Sequence, residues 1–166
     1  MPSRTQQFFP ASFDTTSKVI SAIVCAVLAL VVLVTRSWIG IGVAVLAIGL
    51  SYAWSPRGYT LSGRTILVKR LIGHAQIPLE DVREARAATA DDFRWAVRLF
   101  GDGGLFGYYG LFRTSNLGNC RWYLTSRANA IVIVTGEKTV LVSPDDVPGF
   151  LAMVRAVAGT PAPVRP

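Results

Sequence analysis

The sequence predicts an α+β chain: a two-helix transmembrane hairpin, then a run of short antiparallel strands, then one amphipathic helix. Three observations carry the prediction. Residues Val19 to Trp54 are almost continuously apolar, broken only at Thr35-Arg36-Ser37. From Tyr59 onward, short β-branched runs alternate with glycine-bearing turn signals. Near the end, Val147, Phe150, Leu151, Val154 and Ala158 recur at three- and four-residue spacing, the period of a helix lying on a sheet.

The apolar run is too long for one crossing, since a bilayer core about 30 Å thick needs about 20 residues. Two helices over 16–34 and 38–54, joined at the Thr-Arg-Ser turn, account for it. A cleaved signal peptide fits less well, because no small-x-small site follows the first helix and a second apolar helix does. Basic residues near span ends set orientation. The turn holds only Arg36, whereas Arg4, Lys18, Arg57, Arg64, Lys69 and Arg70 flank the other ends. The expected arrangement is therefore a multi-pass bacterial inner-membrane protein with both termini cytoplasmic. Small residues recur on one face of each helix (Ala22, Ala26, Ala29; Gly42, Gly49, Ala53), where they permit close packing. Past Lys18 at the start of the first helix, neither span holds an Asp, Glu, Lys or Arg, so the reading is an anchor and not an ion pathway.

The remaining organisation is a tail over 1–15, a domain over 58–158 and a loose tail over 159–166. Strands are expected at 59–61, 64–70, 75–79, 82–88, 107–113, 119–125, 130–135 and 139–143; residues 91–100 fit either a short helix or a strand. The glycines of the stretch 101–110 read as turn and bulge geometry, because glycine tolerates positive φ. Asp145 or Asp146 caps the last helix, Pro148 sits in its first turn and Gly159 ends it.

Four stretches, in order, resemble the bacterial PH-domain family: Tyr59-Thr60-Leu61-Ser62-Gly63, Ile77-Pro78-Leu79-Glu80-Asp81-Val82, Gly107-Tyr108-Tyr109-Gly110-Leu111-Phe112, and Leu141-Val142-Ser143-Pro144-Asp145-Asp146 running into Phe150. The resemblance implies a PH-like antiparallel β-sandwich or open barrel, a bent seven-stranded sheet closed at one end by the C-terminal helix. It implies a binding or scaffolding module and carries no catalytic residues onto this chain. Phosphoinositide binding is not carried over, because the basic spacing matches poorly and alternation puts Lys69 and Arg70 on opposite faces.

The chemistry of catalysis is sparse. His74 is the one histidine, in a turn, without a nucleophile motif. The glycine-rich stretch has neither the βαβ context of a dinucleotide fingerprint nor the Gly-Lys-Ser/Thr of a P-loop. Cys25 and Cys120 lie at different depths and form no metal-ligand spacing. The expectations are no enzyme, no cofactor and no metal.

The net charge is +7, and from Ser55 onward 14 Lys and Arg face 9 Asp and Glu. With a membrane at hand, anionic headgroups are the nearest acidic partner. Arg57, Arg64, Lys69 and Arg70 are the candidate headgroup contacts. The arginines farther along are scattered at strand spacing, which excludes the basic stripe that nucleic acid needs. Protein recruitment at the inner membrane is the first function expected, with Tyr108, Tyr109 and Trp122 as the candidate partner surface and a second copy of the chain as a further candidate. Anionic-lipid surface sensing is the alternative.

Overall fold

The computed structural model describes residues 7–159. Its first helix, α1 (Thr15–Thr35), starts at Asp14, whose carboxylate accepts the Ser17 N–H. It ends at Arg36, which turns into the left-handed region (φ 48°) and donates its N–H to the Val32 carbonyl. Ser37 then accepts the Gly40 N–H and opens α2 (Trp38–Trp54). The short polar break thus supplies both a helix stop and a helix start. Far from the domain the pair is bare: Val34 is 74% exposed and Trp38 85%. Helix α1 is long and apolar enough to cross a membrane. Helix α2, at 17 residues, is at the short end of what a span requires.

The β part consists of two sheets. The first has four antiparallel strands in the order β1 (Gln7–Pro10), β2 (Gly58–Ser62), β3 (Thr65–Lys69), β4 (His74–Pro78). Residues 7–10, inside the stretch read as a tail, therefore form a strand along β2. Phe9 is its anchor, buried edge-on against Phe150 with centroids 5.0 Å apart. Four residues ending in proline carry too little alternation to announce themselves as a strand.

The second sheet has six strands: β5 (Val82–Ala87), β6 (Val97–Gly104), β7 (Gly107–Thr114), β8 (Gly118–Leu124), β9 (Ile131–Thr135) and β10 (Thr139–Val142), in the order β5-β9-β10-β8-β7-β6. The ambiguous 91–100 stretch resolves into a 3₁₀ turn, Ala90–Phe93, followed by the start of β6. All its neighbours are antiparallel except β8 and β10, which run parallel, Thr139 opposite Cys120 and Val142 opposite Tyr123. The fold is the expected α+β, a strand-rich domain closed by a C-terminal helix; the parallel pair, and ten strands in two sheets, are where it departs from the antiparallel seven-stranded sheet that the resemblance implied. The β9–β10 hairpin folds back so that β10 fills the place beside β8.

Period-two alternation puts both faces of this sheet to use. Ile131, Ile133 and Val142 point into a core shared with Tyr59, Ile66, Leu79 and Phe150. Val132 and Leu141 point the other way, into a second core around Trp122, Tyr108 and Phe112. Helix α3 (Val147–Ala158) closes the first core with Phe150, Leu151 and Val154, capped by Asp146 at the start and by Gly159 (φ 66°) at the end. Asp145 is used differently: it accepts the backbone N–H and the hydroxyl of Ser12, both at 2.8 Å, and so holds the chain between β1 and α1.

Candidate functional site

The chain's distinguishing feature is the junction between the helical hairpin and the domain. Serines make it. Ser17 and Ser21, one turn apart on α1, are buried although the helix around them is largely exposed. Ser21 Oγ accepts the N–H of Phe106 at 2.9 Å, and the Ser55 hydroxyl donates to the Phe106 carbonyl. Phe106 sits at the tip of the β6–β7 hairpin, with φ 56°, and its ring packs edge-on against Tyr52 of α2, centroids 5.2 Å apart. Tyr109 OH reaches the Ser51 carbonyl at 3.3 Å and the Asp102 carboxylate at 3.4 Å. Burial, reinforced by the negative charge of Asp102, pushes its phenol up to about 12. At the C-terminal end of α2, the N–H groups of Leu71 and Ile72 donate to the Ala53 carbonyl at 3.1 and 3.2 Å. Helix ends leave such carbonyls open, and here a loop of the domain satisfies one.

This junction brings three of the four candidate headgroup residues together. Arg57 follows α2 and stacks on Tyr52, 4.6 Å from the ring centroid. Lys69 lies opposite Gly58 and therefore beside the hairpin base, its ammonium 5.6 Å from the Phe8 ring. Arg70 follows, its guanidinium 5.0 Å over Tyr123. Lys69 and Arg70 thus diverge, as alternation requires. Leu71 and Ile72, next in the chain, are each 58% exposed. Arg64 is the correction: it occupies the turn at the far end of the β2–β3 hairpin, about 17 Å from Lys69 along the strands. Sequence neighbourhood put it near the span; the antiparallel return of β3 takes it away.

The candidate partner surface is also corrected. Trp122 is fully buried, stacked on Phe112 at 4.1 Å, and Tyr108 packs beside it. Arg127 lies across the Tyr108 ring at 4.3 Å and covers that edge of the cluster. Tyr109 is 8% exposed and faces the junction. None of the three offers a protein partner a surface, because the 3₁₀ segment and hairpin base cover faces that strand periodicity alone leaves open.

A groove of about 790 Å³ runs between α2 and the outer face of β6–β8. Ala47, Leu50 and Trp54 form its helical wall, and Arg70, Arg121 and Tyr123 its polar end. Gly101 and Gly110, paired across β6 and β7, give it a floor without side chains. The significance of Arg121 was hidden in the sequence among scattered arginines; the signal available was its alternation with Trp122, which puts it outside when the tryptophan is inside.

Among the described residues no group of three His, Cys, Asp or Glu is placed to hold a metal ion. His74 is exposed, its Nε2 3.4 Å from Gln76 Nε2. Among the described residues the one deeply buried carboxylate is Asp92, and its partners are all structural. Arg86 grips it with two N–H groups, and Thr89 N–H and Asn116 Nδ2 each donate to it at 2.8 Å. The Arg86 guanidinium holds this carboxyl well below the usual range. Burial raises the Cys120 thiol, which keeps it protonated and unreactive.

Residues 57–158 match the sequence pattern of the bacterial PH domain family. No match was found among curated proteins, and none among solved structures. The matched stretch begins at Arg57, beside the junction, and takes in β2 to β10 and α3, with their two cores. The chain belongs to the bacterial PH domain family.

Proposed function

We propose that this protein is a binding module held at the inner surface of a bacterial membrane, where its basic and apolar rim engages anionic lipid. The observation that carries the reading is the junction: a bare apolar hairpin joined by serine hydrogen bonds to a PH-like domain. Lys69, whose carbonyl accepts the Arg57 N–H, is followed two and three residues on by the exposed Leu71 and Ile72. Basic residues at an anionic surface contribute about 1 kcal/mol each, and the apolar pair adds insertion into the interface. Both helices span, and both termini lie in the cytoplasm, in keeping with the lone Arg36 at the distal turn.

The test is an environment-sensitive dye on Ile72→Cys and, separately, on Arg64→Cys, in proteoliposomes with and without phosphatidylglycerol. The dye at 72 emits at shorter wavelength and is quenched by nitroxide lipids, more strongly with phosphatidylglycerol; the dye at 64 reports water. Equal, water-like emission from both positions ends the proposal. In intact cells an impermeant maleimide labels Arg36→Cys from outside; labelling only after permeabilisation overturns the orientation.

Recruitment of a protein is the second reading, and one observation favours it. Strand β6 is an unpaired edge of the six-stranded sheet, and Trp95, Val97, Leu99 and Phe100 are exposed on it or just before it. Such an edge accepts an added strand. Photo-crosslinking from Val97 in native membranes checks this reading, and capture of lipid alone counts against it.

A further inference from the structure

The groove between α2 and the sheet has a graded chemistry. At the domain end stand Arg70 and Arg121. Neither forms an ion pair among the described residues, and Arg70 Nε is buried without a hydrogen-bond partner. A guanidinium N–H removed from water and left unpaired is costly unless something supplies an acceptor. The one acid in the groove, Asp102, is already engaged by Tyr109 OH at 3.4 Å and by the Leu105 N–H at 3.3 Å. Two cations therefore face one committed carboxylate.

The other end is apolar. Ala47 and Leu50 lie on α2 about 10 and 6 Å before Trp54 along the helix axis. If α2 enters the bilayer from Trp54, that wall passes from the headgroup level into the hydrocarbon. The floor at Gly101 and Gly110 presents backbone only, and Phe100 and Leu111 line the groove beside them, so an acyl chain meets apolar atoms there.

We propose that this groove is a site for one anionic glycerophospholipid, its phosphate on Arg70 and Arg121 and one acyl chain along Leu50 and Ala47. Arg guanidinium forks suit phosphate oxygens, and the occupant's polar-to-apolar gradient matches that of the groove. The inference rests on the hairpin residing in the bilayer but not on the rim of Arg57, Lys69 and Ile72 touching headgroups. The groove is a defined single-lipid site; the rim is a surface contact.

Native mass spectrometry of the full chain, released from nanodiscs of phosphatidylglycerol and phosphatidylcholine, tests it. The wild-type chain retains one phosphatidylglycerol. Arg121→Gln, an exposed position, lowers that retention at least tenfold. Ala47→Trp, which fills the apolar end from an exposed helix position, abolishes it while leaving the dye response at position 72 unchanged. Retention of phosphatidylcholine equal to that of phosphatidylglycerol, or equal retention by the wild-type chain and both variants, overturns the proposal. Loss of the dye response with retention intact overturns the rim and leaves the groove standing.

Discussion

The backbone N–H of Phe106 donates to the hydroxyl of Ser21, 85 residues earlier, at 2.9 Å. A β-hairpin tip is thereby hydrogen-bonded to the side of an apolar helix, one of few polar groups that helix offers. With the Ser55 hydroxyl on the Phe106 carbonyl, both backbone groups of one loop residue are satisfied by the helical hairpin and the residue that follows it. The domain is thereby coupled to the helical hairpin in addition to the covalent link through Ser55 and Pro56.

Ser21→Val removes the acceptor and leaves the Phe106 N–H without a partner. The expected cost is about 1–3 kcal/mol, borne by the junction and not by the domain core. Hydrogen exchange in detergent reads it: amides 105–107 exchange faster, while those of β9 and β10 are unchanged. Protection of 105–107 equal to that of the unsubstituted chain shows that the contact does not hold the tip.

Asp92 makes the domain acid-sensitive. Its folded carboxyl titrates below the ordinary value near 4, chiefly because Arg86 hydrogen-bonds to it. A depressed folded value means stability that is complete above the unfolded value and is lost as pH falls through the folded one. Stability should thus be level from pH 7 to about 5 and fall progressively below about 4. Asp92→Ala leaves Arg86 without its principal buried partner and costs about 3–5 kcal/mol at neutral pH. Thermal melts followed by tryptophan fluorescence check both, and a variant melting within a degree or two of the parent refutes the assignment.

Gly110 has φ 130° and faces Gly101 with φ 111°; a Cβ on Gly110 would lie 2.1 Å from the Phe100 carbonyl oxygen. Gly110→Ala combines backbone strain with overpacking, together about 2–4 kcal/mol. By contrast Gly63→Ala, in an open turn with nothing within 4 Å of the added carbon, carries only the left-handed strain, about 1 kcal/mol. Denaturant midpoints should rank the two in that order.

Tyr59 OH donates to the Tyr123 carbonyl and accepts the Ser143 N–H at 2.9 Å, at the junction of β2 with the second sheet. Burial pushes its phenol up to about 12. The unfolded chain ionises near pH 10 and the folded chain does not, so stability is intact below about 10 and lost as pH rises toward 12. Tyr59→Phe strips a partner from the Ser143 N–H and the Tyr123 carbonyl, at about 1–3 kcal/mol. Its alkaline melting curve should also be flatter than that of the unsubstituted chain, which equal slopes would contradict.

Local pattern was legible wherever near neighbours decide the conformation. Thr35-Arg36-Ser37 reads as a break because it is the one polar interval in a long apolar run, and the structure has a helix stop and start there. The β9 run Ile-Val-Ile-Val reads as a strand, and Asp146 with Pro148 and Gly159 reads as the two ends of a helix. The PH resemblance followed from the order of such segments. Strand β1 did not, since its stability comes from Phe9 meeting Phe150 from the other end of the chain.

The site was less legible for the same reason. Periodicity tells that Arg121 and Trp122 point to opposite faces, but not which face another element covers. Phe93 and Arg127 bury Trp122, α2 comes to lie beside Arg121, and the β3 return separates Arg64 from Lys69. Sequence by itself determined the apolar hairpin, the strand-rich domain and the capped last helix, since these arise from sterics and patterning within a few residues. Only the tertiary structure decided which aromatics are core, which arginines share a groove and how Ser21 of α1 meets Phe106. Those are contacts between residues far apart in the chain, and local preference carries no record of them.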